Sequence, residues 1–139
     1  MFTLDGIKHF KASEILNGKD VPESLLQNII PTVMVLDELR GYYGKPIYIN
    51  STYRSPEYNK AVGGKPNSLH IHFNAIDFTI TDKSDLEDLY KRLNVWDYTH
   101  QFKFLPKFGS MGIGFYKDRF IHLDTRAILN LNAPARWQG

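Results

Sequence analysis

The chain has 139 residues, with 17 Lys plus Arg against 15 Asp plus Glu, a net charge of +2 and no cysteine. The near-balance argues against the basic face that non-specific nucleic-acid binding requires. The missing cysteines exclude disulfides, thiolate metal sites and a cysteine nucleophile together, so any metal must be held by His, Asp or Glu.

The length suits one domain, residues 1–139, and a hydrophobic content of 42% suits a chain that folds around a core. The N-terminal MFTLDGIKHF lacks the basic and apolar regions of an export signal. The longest apolar run, Val33 to Leu36, is far short of the ~18 residues of a membrane span. The expectation is a monomer made in the cytoplasm, which another route, such as a holed membrane, would have to release.

In chain order, residues 8–17 predict a short helix ended by Gly18. A longer helix is expected from about Asp20, with Pro22 at its first position. Its stripe of Leu25, Leu26, Ile29, Ile30, Val33, Leu36 and Leu39 has helical spacing, is kinked or split by Pro31 and ends at Gly44. Residues 46–50 alternate as a strand. Ser55 and Pro56 start a short helix that stops at Gly63-Gly64. Residues 75–80 read as a buried strand carrying one acid, Asp77. Ser84 and Glu87 form a capping box for a helix to about Leu93. Residues 94–110 read as loop, with the aromatics from Trp96 to Phe108 as sheet cover or, less economically, a binding groove. Gly112–Tyr116 and Phe120–Asp124 predict a β-hairpin. Residues 127–139 read as irregular, with Trp137 as a core plug. This is one α+β domain, a small antiparallel sheet packed with helices.

The chemistry concentrates in two places. His70 lies in the loop before the strand that carries Asp77, an acid between Ile76 and Phe78 that is costly to bury unless paired or coordinated. His122 and Asp124 are two apart, so both leave one strand face while Ile121 and Leu123 enter the core. Two imidazoles and one carboxylate form a catalytic zinc set, and zinc brings the pKa of its water toward ~7. If His122 is a ligand, Asp124 is placed to take a proton from that water. The alternative is an ordinary sheet with His122 and Asp124 as surface polar groups.

The run Ser51-Thr52-Tyr53-Arg54-Ser55-Pro56-Glu57-Tyr58-Asn59, then Gly63-Gly64, Ser68-Leu69-His70 and Ala75-Ile76-Asp77, resembles the signature of the M15 family of zinc D-Ala-D-Ala peptidases. The later Gly112-Ile113-Gly114-Phe115-Tyr116 and Phe120-Ile121-His122-Leu123-Asp124-Thr125 resemble its closing strand, and Ala135-Arg136-Trp137 resembles the motif that tends to end such domains. The resemblance implies a Hedgehog/D-Ala-D-Ala-peptidase-like fold with zinc on His70, Asp77 and His122. It implies Asp124 as general base or orienting acid, Arg54 on the substrate carboxylate, and Ser68 binding substrate or supporting the site. Tyr53 and Asn59 would hold the loop that presents Arg54. The implied substrate is a peptidoglycan stem peptide or cross-link, and the implied setting is a phage or prophage lysis enzyme of carboxypeptidase or endopeptidase type. Three positions depart from the pattern. Arg119 stands where many relatives carry an acid, Phe73 replaces a glycine, and His72 is an additional histidine. Phe73 and the missing acid at position 119 motivate a second reading, a non-catalytic wall- or protein-binding module stapled by zinc.

Overall fold

The computed structural model describes residues 2–139. Helix α1 (Ala12–Leu16) is followed by a 3-10 segment, Glu23–Ile29, and helix α2 (Ile30–Tyr43). Strand β1 (Tyr48–Ser51), helix α3 (Pro56–Ala61), strand β2 (Ala75–Thr79) and helix α4 (Leu86–Tyr98) come next. The hairpin β3 (Gly112–Tyr116) and β4 (Phe120–Asp124), a 3-10 turn and strand β5 (Ala135–Gln138) complete the chain.

The split expected at Pro31 is present: the helical stretch changes from 3-10 to α at residue 30, with Pro31 in the first turn of α2. The proline lacks an N–H to continue the hydrogen-bond ladder, so the preceding segment is wound as a 3-10 helix and α2 starts around it. Pro22 caps that 3-10 segment and is not its first residue. Gly44 closes α2 in the left-handed conformation, its N–H donating to the Arg40 carbonyl. Ser55 caps α3 by accepting from the Tyr58 N–H.

The cap expected from Ser84 comes instead from Asp82, which accepts from the Ser84 N–H across the 3-10 turn Lys83–Asp85. Helix α4 then runs to Tyr98, past the expected end at Leu93 and into the expected loop. Its buried stripe is Leu86, Leu89, Leu93 and Asp97. The last of these is an acid, so the apolar period breaks while the helix continues. Asp97 is paid for by a full set of partners: the Ser110 N–H at 2.7 Å, the Met111 N–H at 3.2 Å and the Arg136 Nη2 at 2.6 Å. Arg136 also reaches Asn94 and the Met111 carbonyl, so this cluster ties β5 to α4 and β3. Asp97→Ala is expected to strand Arg136 and two backbone donors and to cost ~3–5 kcal/mol, read as a lower midpoint in urea melts.

The sheet order is β1-β2-β4-β3-β5, antiparallel except for the β3–β5 pair. The last strand overturns the irregular reading of residues 127–139. It pairs in parallel with β3, and it was hidden because it is short and carries Arg136 on a polar anchor. One sheet face presents Ile76, Phe78, Ile113, Ile121 and Leu123, all fully buried, to a core shared with Val33, Leu36, Leu39, Leu89 and Leu93 of α2 and α4. Trp96 and Phe102 pack edge to face beside this core, and Phe104 and Phe108 remain exposed. None of these four lines the main cleft, which favours cover over a groove. Among the described residues, no helix is long and apolar enough to cross a membrane.

Candidate metal centre and its cleft

The other sheet face carries the chemistry, and the strand register explains why. Opposite residues on paired strands share a face. The pairings Ser51↔Asp77, Asp77↔His122, His122↔Gly114 and Gly114↔Trp137 form one row across all five strands. The next row is Ala75, Asp124, Gly112 and Ala135. The two glycines of β3 clear this face. A Cβ on Gly112 would lie 2.5 Å from Asp124 Oδ2 and 2.6 Å from the Arg126 guanidinium, and one on Gly114 would lie 2.3 Å from the Trp137 indole nitrogen.

His70, Asp77 and His122 are all buried and bring one ligand atom each to within 4.8 Å of one another. Asp77 stands between the imidazoles, with Oδ1 3.1 Å from His122 Nδ1 and Oδ2 3.2 Å from His70 Nε2. The outer ring nitrogens are occupied too. His70 Nδ1 donates to the Thr52 carbonyl at 2.7 Å, and His122 Nε2 lies 2.7 Å from Asp124 Oδ2. A histidine tied on its outer nitrogen turns its inner lone pair toward a metal in a fixed tautomer. The 3.1 and 3.2 Å spacings are close to the ~3.4 Å edge of a tetrahedron with bonds of ~2.1 Å. Two nitrogens and a carboxylate are the ligand set of catalytic zinc rather than of closed structural sites, so the residues present fit zinc.

Asp124 lies behind His122, away from the cluster, and is fully buried. Its Oδ1 accepts from the Gly112 N–H, the Arg126 N–H and Arg126 Nε at 3.0–3.1 Å, and its Oδ2 faces His122 and accepts from Arg126 Nη2 at 2.9 Å. Burial alone would raise its pKa, but the bonds from His122 and Arg126 hold it well below the usual carboxylate range. The same balance, with His122 and His70 as partners, lowers Asp77.

In the metal-free chain burial opposes charge on His122, yet its bonds to Asp124 and Asp77 and their negative charge push its pKa from 6.5 to about 9. The folded value lies above the unfolded one. The stabilisation is therefore complete below pH 6.5 and is lost as pH rises through about 9. Calorimetry of EDTA-treated protein is expected to show the melting temperature falling across that window. The stabilisation by added zinc is expected to grow as pH rises through the same window, because ligation needs the neutral ring.

The cluster forms part of the lining of a cleft of about 510 Å³. Arg54 and Ser68 also line it. Arg54 Nη2 is 3.7 Å from Asp77 Oδ2, and its Nη1 is 3.4 Å from Asn59 Oδ1. Asn59 is buried and donates to the Lys65 carbonyl, while Tyr53 packs edge-on against Phe73 in the core. The Ser68 hydroxyl accepts from the His70 N–H at 3.2 Å. Phe73 takes the glycine-like φ of +50° itself, with its ring fully buried, so the loop keeps its turn and gains a core side chain. His72 is exposed and stands outside the cluster. Arg119 lies in the hairpin with its guanidinium over Tyr116 and Phe120 and does not line the cleft.

Four contributors escaped the sequence reading. The Thr52 carbonyl is backbone and leaves no side-chain signal. Arg126 was readable only as the basic residue two after Asp124. Tyr116 and Trp137 line the cleft, with the Trp137 ring 4.8 Å from the His122 ring. Trp137 is thus half-buried against the site rather than plugging the core.

Fold and site together define a small α+β domain with a candidate His-Asp-His metal centre on one sheet face. The Peptidase M15 family model matches residues 2–124, and the chain belongs to that family of peptidases. A comparison with curated proteins finds no match.

Proposed function

We propose that the protein is a zinc metallopeptidase that hydrolyses D-amino-acid-containing stem peptides or cross-links of bacterial peptidoglycan. The observation that carries this reading is the convergence of His70 Nε2 and His122 Nδ1 on Asp77, with both outer nitrogens tied down. A zinc ion held by these three side chains would supply a water acidic enough to react near neutral pH and a Lewis acid for the scissile carbonyl.

The chain's own residues then divide the remaining work. Arg54, on the cleft wall and steadied by Asn59, holds a substrate carboxylate with its two-pronged guanidinium. Ser68 supports the His70 loop through its hydroxyl. Asp124 keeps Nε2 of His122 protonated and the ring oriented. Its five donors exceed the about four lone-pair positions of a carboxylate, which favours orientation over proton shuttling. Arg126 neutralises Asp124 in turn.

The position of His72 favours the enzyme over the binding module, because a fourth protein ligand from that residue would close the site. Digestion of purified peptidoglycan with mass spectrometry of the products tests the reading. New free termini at a D-amino acid are expected from the zinc-loaded protein and not from the EDTA-treated one. Zinc-loaded protein that binds the wall and releases nothing would support the binding module instead.

A further inference from the structure

The cleft has an aromatic side that the peptidase reading leaves without a task. Trp137, on β5 and beyond the family match, donates its indole N–H to the Tyr116 oxygen at 2.9 Å. Gly114 leaves the space the indole occupies. The Tyr116 ring is pinned. Phe120 stacks on it at 4.2 Å with the planes 12° apart, and Gly139 is so close that a Cβ there would lie 2.2 Å from its Cε1. A phenol has one proton to donate and lone pairs to accept with. The indole takes up an accepting position, so the phenolic proton is directed elsewhere. Among the described residues the Tyr116 hydroxyl donates to no protein acceptor, and Tyr116 lines the same cleft as His70, Asp77 and His122. Accepting from Trp137 also polarises the hydroxyl and makes it a stronger donor.

We propose that Tyr116 is a substrate-binding residue whose hydroxyl donates to a backbone carbonyl of the bound wall peptide, with Trp137 a positioning residue that aims it. A peptide is the ligand that offers such carbonyls in series, and Phe120 supplies an apolar wall beside them. This inference rests on the peptidase reading above.

The chain has two tryptophans, so a 15N-labelled sample gives two indole signals, and Trp96, packed against Phe102 outside the cleft, serves as the internal control. Muropeptides from a muramidase digest are titrated into zinc-loaded protein. The Trp137 signal is expected to shift and the Trp96 signal to stay. Tyr116→Phe is expected to keep its zinc and melting temperature, to move the Trp137 signal in the free protein, and to weaken muropeptide binding about 5–10-fold, the worth of one hydrogen bond. Trp137→Phe should lose less. The double variant should lose no more than Tyr116→Phe alone, because the indole acts through the phenol.

Wild-type protein that cuts peptidoglycan with an unmoved Trp137 signal, or a Tyr116→Phe variant that binds like wild type, overturns the Tyr116 assignment alone. Additive losses in the double variant overturn the positioning role of Trp137. Wild-type protein that neither binds nor cuts overturns the peptidase reading, and the Tyr116 assignment with it.

Discussion

Asp77→Asn protein is expected to lose its zinc and its hydrolytic activity together. Among the described residues Asp77 is the one group that touches both imidazoles, at 3.1 and 3.2 Å, and it also faces the Arg54 guanidinium at 3.7 Å. The substitution keeps the side chain's shape but removes the charge. The two histidine rings, 5.3 Å apart, would then confront a cation and an arginine with no anion between them. Removing a hydrogen-bonded outer partner of a metal ligand costs ~10–100-fold in affinity, so loss of a direct charged ligand should exceed about 100-fold. Calorimetric titration with zinc measures the affinity, and elemental analysis of the dialysed protein measures retention. The fold should survive, because the apolar neighbours Ile76 and Phe78 are untouched on the opposite face. A variant that folds, holds one zinc per chain and stays active would remove Asp77 from the centre.

The row that builds the centre could be read in part from the sequence. The two-residue spacing of His122 and Asp124, with Ile121 and Leu123 between, determines which side chains face the cleft, because strand alternation admits one arrangement once the core face is known. The isolated acid between Ile76 and Phe78 marked the partner strand in the same way. Partners outside local spacing were not legible. Arg136 and Asp97 are 39 residues apart in sequence, and their pairing helps tie β5 to the end of α4. Trp137 reached the cleft by a parallel pairing of β5 with β3, which no hairpin signal announces. The glycines of β3 read only as members of a predicted strand, with no sign of what they leave room for. They are gaps filled by Arg126 and the indole, a role visible only when the neighbouring strand's side chains are in place. Pro31 shows a local rule sufficing: its missing N–H demands a break in the ladder, and the helical stretch changes from 3-10 to α at residue 30.

Asp124→Asn separates two roles that the cleft geometry treats differently. As an orienting group, Asp124 acts through Oδ2 on the outer nitrogen of His122, 2.7 Å away, and through its charge on Arg126. Its replacement should then weaken zinc binding ~10–100-fold. Most of the activity should return when zinc is raised to saturate the site. As a proton carrier it would leave zinc affinity near wild type and lower the turnover of the saturated enzyme by ~10²–10⁴-fold. The orienting outcome is expected, since every lone pair of the carboxylate is engaged and its pKa is held low by His122 and Arg126. Stability should fall as well. The Arg126 guanidinium would be left half-buried without its counter-charge, and a broken buried pair costs ~3–5 kcal/mol. Arg126→Gln combined with Asp124→Asn removes both charges, and it should recover part of the melting temperature without recovering zinc affinity. Turnover that stays low at saturating zinc, with wild-type affinity, would return Asp124 to the role of base and leave Arg126 as the group that sets its pKa.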